Sequence, residues 1–175
     1  MGKKIIPLII EIRPSKMLPG EIGVFAARNL RPGTIIGEVG LFINKNIFFI
    51  NKSEYKKIDA VTRKKIDDYC LGTPQGFYVL KNLNHMSVPW NLNHSCNYNV
   101  GFDGEDNFIT TKYVKKGSEL FWDYGLGETN PNFKMHCKCG SKNCRKIITG
   151  NDWKNSDFRL KNLKFMLSGL KKNKI

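Results

Sequence analysis

Three of the five cysteines stand close together, as Cys137-Lys-Cys139 and, four residues on, Cys144. A structural zinc ion takes four tetrahedral ligands, often all thiolate, and this loop supplies three. An odd cysteine count at such spacing suits a metal better than disulfides and fits a reducing compartment. The fourth ligand must come from elsewhere, with Cys70, Cys96 or a histidine as the choices. A second group lies upstream. Asn-Leu-Asn-His occurs at 82–85 and again at 91–94, and only the second copy runs on into Ser95 and Cys96. A third is "ELFWDYG" at 119–125, which sets the phenol of Tyr124 at a strand end beside Gly125, where a ligand can come close to the backbone.

These residues need elements to position them. "IIPLIIEIRPS" alternates enough for a strand, and "PGEIGVFAARNL" is a turn leading into another. "RPGTIIGEVGLFIN" carries the turn signal Pro32-Gly33 and then a strand. "NKSEYKKIDAVTRKKIDDYC" has helical spacing at Tyr55, Ile58, Val61 or Ala60, Ile66 and Tyr69, with Ser53 as its expected cap. "GFYVLKNL" predicts a strand. "YNVGF" and "NFITTKYV" predict a hairpin about residues 103–106, and "ELFWDYG" a short strand after the Lys116-Gly117 turn. The cysteine cluster is expected as loop. "NDWKNSDFRLKNLKFMLSGL" predicts one C-terminal helix, with Leu160, Leu163, Phe165 or Met166 and Leu167 on a shared face. Many short strands with little helix point to a β-rich fold and not to a βαβ sheet.

Length and composition are those of one globular domain, 175 residues with 41% hydrophobic content. No run approaches the roughly 20 apolar residues of a membrane helix, so no membrane partner is expected. The opening "MGKKIIPLIIEIRPSK" imitates a secretory signal, but its apolar part is short, broken by Pro7 and without a small-residue cleavage site. Of the net charge of +14, residues 129–175 carry +10 and residues 1–128 only +4. The C-terminal part reads as an electropositive appendage, suited either to phosphate-rich or acidic partners or simply to solvation.

Taken together, "NHSC" at 93–96, "ELFWDYG" at 119–125 and "CKCGSKNC" at 137–144 resemble, in order and spacing, the SET-domain protein lysine methyltransferases with a post-SET zinc-binding cysteine motif. "GEIGVFAARNLRPGTIIGEV" looks like that family's opening cofactor-binding hairpin, and "CRKIITGNDW" extends the likeness to about residue 153. The resemblance implies a mostly β fold with short helices (α+β): small curved sheets with a pseudoknot, a post-SET zinc loop and a C-terminal helix. The implied division is a SET domain at 1–130, a zinc-binding segment at 131–150 and a basic C-terminal helix at 151–175.

The resemblance also implies the chemistry, methyl transfer from S-adenosylmethionine to a lysine amine, leaving S-adenosylhomocysteine. The amine must lose its proton, and burial beside a positive sulfonium lowers its pKa from about 10.4. The family's roles fall on Tyr124 as catalytic tyrosine and on Trp122, where the family usually has Phe or Tyr that tunes the number of methyl groups. Tyr69 is expected as the second pocket tyrosine, with Tyr78 as its rival. Ile22, Gly23, Val24, Asn93, His94 and Tyr124 are expected at the cofactor, with Trp153 covering it. Structural Zn2+ is expected on Cys96, Cys137, Cys139 and Cys144, leaving Cys70 and His85 out.

The chain departs from the family at Glu21, where a glycine is common, at Asn97-Tyr98-Asn99, and at Trp90, where Arg is frequent; Trp90 is expected either to stack near the cofactor or to pack, with packing preferred. The expected partner is a protein with an exposed lysine, foremost a histone tail, with nucleosomal DNA contacting the basic C-terminal segment. The nucleus follows as location, or a host nucleus for a bacterial protein, with the cytoplasm as alternative. Competing readings are a methyltransferase of non-histone proteins, a non-catalytic SET-like reader, and a zinc-containing nucleic-acid-binding protein.

Overall fold

A computed structural model of the protein describes residues 5–37 and 46–172. In chain order the elements are β1 (Ile10–Pro14), β2 (Ile22–Ala26), β3 (Ile35–Gly37), β4 (Ile47–Asn51), α1 (Lys52–Lys57), α2 (Ala60–Tyr69), β5 (Leu71–Gly72) and β6 (Gly76–Leu80). Then come β7 (Asn93–His94), β8 (Val100–Phe102), β9 (Phe108–Thr110), β10 (Glu119–Trp122), β11 (Lys134–His136), β12 (Ile147–Thr149), α3 (Ser156–Asn162) and α4 (Ser168–Lys172). Strands dominate and the helices are short, as the sequence predicts.

The largest sheet runs β1-β2-β10-β8-β9-β3, with β7 also paired to β10. A three-stranded sheet, β4-β6-β5, and the β11-β12 pair complete the strands. β2 lies between β1 and β10, so Val24, Phe25 and Ala26 are all fully buried rather than alternating. The main core joins Val24, Leu30, Val100, Phe102, Leu120 and Leu126 to Met166, Leu167 and Leu170 from the C-terminus. A second cluster, Ile50, Ile66, Cys70, Phe77 and Val79, fixes α2 on the β4-β6-β5 sheet.

Some expectations about elements change. The first strand begins only at Ile10, with Ile5 and Ile6 each 89% exposed; Pro7 brings no N–H to a ladder. The strand expected beyond Pro32-Gly33 is seen over Ile35–Gly37, and its continuation through residues 38–44 lies outside the described residues. The single helix expected across 51–70 is two helices, and its cap is Asn51 in place of Ser53. The Asn51 side chain accepts from the Ser53 and Glu54 amides while Glu54 accepts from the Asn51 amide, a capping box; Asp59 then starts α2 afresh. Sequence reading also passes over β4, β11 and β12, which are short and carry little alternation.

The largest change concerns the basic C-terminus. It is neither one helix nor an appendage. Asn155 caps α3, and the buried carboxylate of Asp106 accepts from the Ser168 amide and hydroxyl at the start of α4. Arg159 is buried and donates to the Leu170 carbonyl at 2.6 Å. Leu160, expected on the apolar face, is 83% exposed, whereas Met166, Leu167 and Leu170 enter the core. Met166→Ala is therefore expected to cost about 2–5 kcal/mol in denaturant unfolding. Truncation after Gly150 should abolish the cooperative transition, and a truncated chain that melts like the full one would show these contacts to be idle.

Candidate active site

β10 organises the site because it has neighbours on both sides. Along one edge β2 pairs antiparallel through Glu119↔Phe25 and Leu120↔Val24 and β7 follows, parallel, through Phe121↔Asn93 and Trp122↔His94; on the other edge β8 pairs through Trp122↔Val100. The Asn99 side chain adds a clamp, donating to the Glu119 carbonyl and accepting from the Phe121 amide. The "NHSC" loop is thereby fixed against the "ELFWDYG" strand. Asn93 Nδ2 donates to the Ile22 carbonyl at 2.8 Å, which ties the opening hairpin to the same place.

Gly23 is required by its neighbour. A side chain there would run into the buried carboxylate of Glu119, which also accepts from Ser15 Oγ and the Lys16 amide. Ile22 lines the adjacent polar pocket, whereas Val24 is fully buried beneath the sheet.

Past β10 the chain turns at Asp123, and the Tyr124 amide donates to His94 Nδ1 at 3.1 Å. Burial pushes His94 down to about 4, against the pull of Asp123, so its ring is neutral. Since Nδ1 accepts, the ring hydrogen sits on Nε2, which points at Cys96 Sγ at 3.5 Å. The Tyr124 hydroxyl lies 3.4 Å from the Leu92 carbonyl. Burial first, then the nearby Tyr69 and Glu128, holds its phenol firmly protonated.

Three cavities meet here in series. The middle one is narrow, about 70 Å3, walled by Tyr69, Leu92, Trp122, Tyr124 and Phe133 among others. Trp122 packs edge-on to Phe102 and Phe108, and its ring centroid is 4.9 Å from that of Tyr124. On one side the narrow cavity shares Asp68, Tyr69, Trp90, Leu92 and Tyr124 with a polar pocket of about 280 Å3 that also reaches Glu21, Ile22, Lys64 and Asn93. On the other it shares Asp67, Cys70, Glu128 and Phe133 with a groove of about 480 Å3.

The structure thus brings Ile22, Asn93, Tyr69, Trp122 and Tyr124 around adjoining cavities. Trp90, read from sequence as packing, lines both the narrow cavity and the polar pocket. Trp153 is elsewhere, in an apolar cavity of about 360 Å3 that also holds Tyr78. Tyr78 and Tyr69 therefore face different spaces, and only Tyr69 shares one with Tyr124.

Cys96, Cys137, Cys139 and Cys144 converge, with all four Sγ atoms within 4.8 Å of one another and Cys96 to Cys137 at 3.8 Å. Sulfurs at ~2.3 Å from a tetrahedral zinc stand about 3.8 Å apart, so the set can hold such an ion. Cys70 lines the narrow cavity and the groove instead, and His85 and His136 are exposed outside the cluster.

Sequence reading missed two charged residues. Arg145, next to Cys144, donates twice to the Asp123 carboxylate at 2.6 Å and once to Asp152 at 3.0 Å. Asp123 is 1% exposed. The cysteine loop and the turn after β10 are thus joined by an ion pair that no spacing rule announces. Glu128 is buried, and its two oxygens accept the Gly72 and Asn130 amides. Burial pushes its carboxyl up to about 7 while those amides oppose the rise.

The SET domain family matches residues 21–125, more than half of the chain and including β2, β7, β10 and Tyr124. The chain belongs to the SET-domain family. It is 29% identical over 141 residues to human histone-lysine N-methyltransferase 2D, covering 71% of this chain and 2% of that protein. It is 40% identical over 65 residues to Caenorhabditis elegans histone-lysine N-methyltransferase met-2, covering 30% of this chain and 5% of that one. Against a chain of an active polycomb repressive complex 2 in its basal state, the TM-score is 0.45 at 19% identity, over 69% of this chain and 15% of that chain. This SET domain spans only a few per cent of the curated relatives it matches.

Two outcomes follow. Arg145→Met leaves the Asp123 carboxylate buried and unpaired, a loss of about 3 kcal/mol by denaturant unfolding, at the low end for buried pairs because Arg145 is partly exposed. Glu128 binds its proton more tightly folded, at about 7, than unfolded, at 4.5. Its contribution to stability is full below the lower value and lost as pH rises through the higher one. Between pH about 5 and about 8, wild type should lose melting temperature relative to Glu128→Gln, and parallel profiles would refute the shift.

Proposed function

We propose that the chain is an S-adenosylmethionine-dependent protein lysine N-methyltransferase, with histone tails as the foremost substrate. The observation that supports it is the junction at Tyr69 and Tyr124 of a polar pocket and a narrow aromatic cavity. A two-substrate transfer needs donor and acceptor to reach one point from separate sides, with water excluded between them. In this reading the polar pocket takes the cofactor; Glu21 and the Lys64–Asp68 ion pair line it. When bound, the cofactor supplies a methyl group on a positive sulfur.

The residues of the chain do the rest. Tyr69, Trp122, Tyr124 and Phe133 wall a passage that fits an extended aliphatic stem and removes water from its tip. Desolvation favours the neutral amine, the form with a lone pair to attack the methyl carbon as the bond to sulfur breaks; the surplus proton leaves to solvent. Tyr124, held protonated, orients the amine and does not act as a strong base. Trp122, wedged among Phe102, Phe108 and Tyr124, limits the room for added methyl groups.

The four thiols are proposed to hold structural Zn2+, which would fasten the post-SET loop to the Cys96 loop. The domain boundaries near 130 and 150 are proposed on the same footing, the C-terminal segment packing on the SET core. Relatives described as histone-lysine methyltransferases support a histone substrate and a nuclear location. Lys154, Lys161, Lys164 and Lys172 are exposed and offer phosphate contacts to nucleosomal DNA.

Radiolabelled methyl transfer to histones, nucleosomes and lysate proteins tests the activity. Tyr124→Phe should lower turnover about a hundredfold while calorimetric cofactor affinity stays within a few-fold; undiminished turnover would remove Tyr124 from the mechanism, and absent cofactor binding in wild type would favour a non-catalytic module. Metal analysis should give one zinc per chain, lost together with melting temperature in Cys139→Ser. Neutralising the four lysines, a milder change than truncation, should flatten the salt dependence of nucleosome binding if DNA is contacted there.

A further inference from the structure

The wide groove beyond the narrow cavity carries more positive than negative side chains, three ammoniums against two carboxylates. Lys52 and Lys56 from α1 and Lys134 from β11 line it, all three exposed. Among the described residues none of their ammonium groups has a hydrogen bond or ion pair. Two carboxylates also face this space, and both are engaged. Asp67 accepts the Tyr55 hydroxyl at 2.8 Å, and both oxygens of Glu128 accept backbone amides. The remaining lining is neutral, with Asn130 and Asn132 offering hydrogen bonds and Tyr55, Phe77 and Phe133 offering apolar wall.

We propose that this groove receives an acidic side chain, Asp or Glu, of the protein substrate, carried close along the chain to the lysine that enters the narrow cavity. The inference rests on the methyltransferase reading of the two neighbouring cavities. Its geometric basis is continuity: Asp67, Cys70, Glu128 and Phe133 line both the narrow cavity and the groove, so a peptide whose lysine occupies the first lays its flanking residues in the second. Unpaired ammoniums on three separate backbone positions favour a carboxylate there and disfavour an arginine or lysine by like-charge repulsion. Within the proposed histone substrates, a lysine with an acidic neighbour would be preferred over one flanked by arginine or lysine on both sides.

The test uses the full chain and synthetic peptides with one lysine flanked by Glu, Ala or Arg. Methyl transfer is followed by mass spectrometry and peptide binding by fluorescence anisotropy. Glu-flanked peptides should show KM values about three- to tenfold below Ala-flanked ones, as expected for partly exposed charge pairs, with kcat little changed and Arg-flanked peptides poorest. The preference should weaken with salt, shrink in Lys56→Gln/Lys134→Gln and reverse in Lys56→Glu/Lys134→Glu, with melting temperatures confirming that both variants fold. Equal KM values, a preference for Arg, or a preference unaltered in the variants would overturn the proposal and leave the methyltransferase reading standing. Where no peptide is methylated, anisotropy decides: acidic peptides that bind no better than Ala peptides overturn it, and absence of cofactor binding as well overturns the methyltransferase reading with it.

Discussion

A single buried carboxylate ties the parts of this molecule together. Asp123 ends β10 one residue before Tyr124, is withdrawn from water, and is held by two hydrogen bonds from Arg145. A carboxylate so placed is tolerable only with a partner, because its desolvation costs several kcal/mol. Arg145 follows Cys144, and its amide lies 3.4 Å from Cys96 Sγ. The charge of Asp123 therefore fixes where the cysteine loop docks, and the docked loop brings four thiols to one point. Asp152, on the second face of Arg145, also accepts from Thr149, so the same guanidinium orients the turn into the C-terminal segment.

From that anchor the site is built outward by backbone pairing. β10 holds β2 and then β7 along one edge and β8 on the other, which sets Ile22 and Asn93 beside Tyr124 although they are far apart in sequence. The aromatic cluster around Trp122 then closes the narrow cavity from below, and Tyr69 at the end of α2 and Phe133 before β11 contribute further walls. Three cavities of different character follow one another: polar, aromatic, then lysine-lined. In the proposed reading, the donor and the acceptor lysine enter from opposite ends of this series.

Parts of this were legible in the chain. The β-rich class, the hairpin about residues 103–106 and the strand "ELFWDYG" follow from local alternation and turn residues, which act over a few positions. The grouping of Cys96 with the three clustered cysteines comes through family resemblance and not through spacing, since Cys70 and the histidines also stand open on the residues alone. The C-terminal helix was misjudged because Leu160 and Met166 look alike in a periodic pattern. Capping by Asp106 and the Asn162 contacts, the latter reaching Tyr98, break that pattern, and both depend on residues distant in sequence.

The sequence by itself determined the chemical alphabet: a loop rich in thiols, a phenol at a strand end, an asparagine and histidine before a cysteine, and an excess of positive charge toward the C-terminus. Those are properties of residue type and short-range order. Only the tertiary structure decided that Arg145 pairs with Asp123, that Tyr69 and not Tyr78 shares a cavity with Tyr124, that Trp153 lies away from the polar pocket, and that the basic segment is stitched into the core. The physical reason is that each depends on which buried charge or ring finds a partner across the fold, and desolvation is set by the whole chain's packing rather than by any neighbourhood within it.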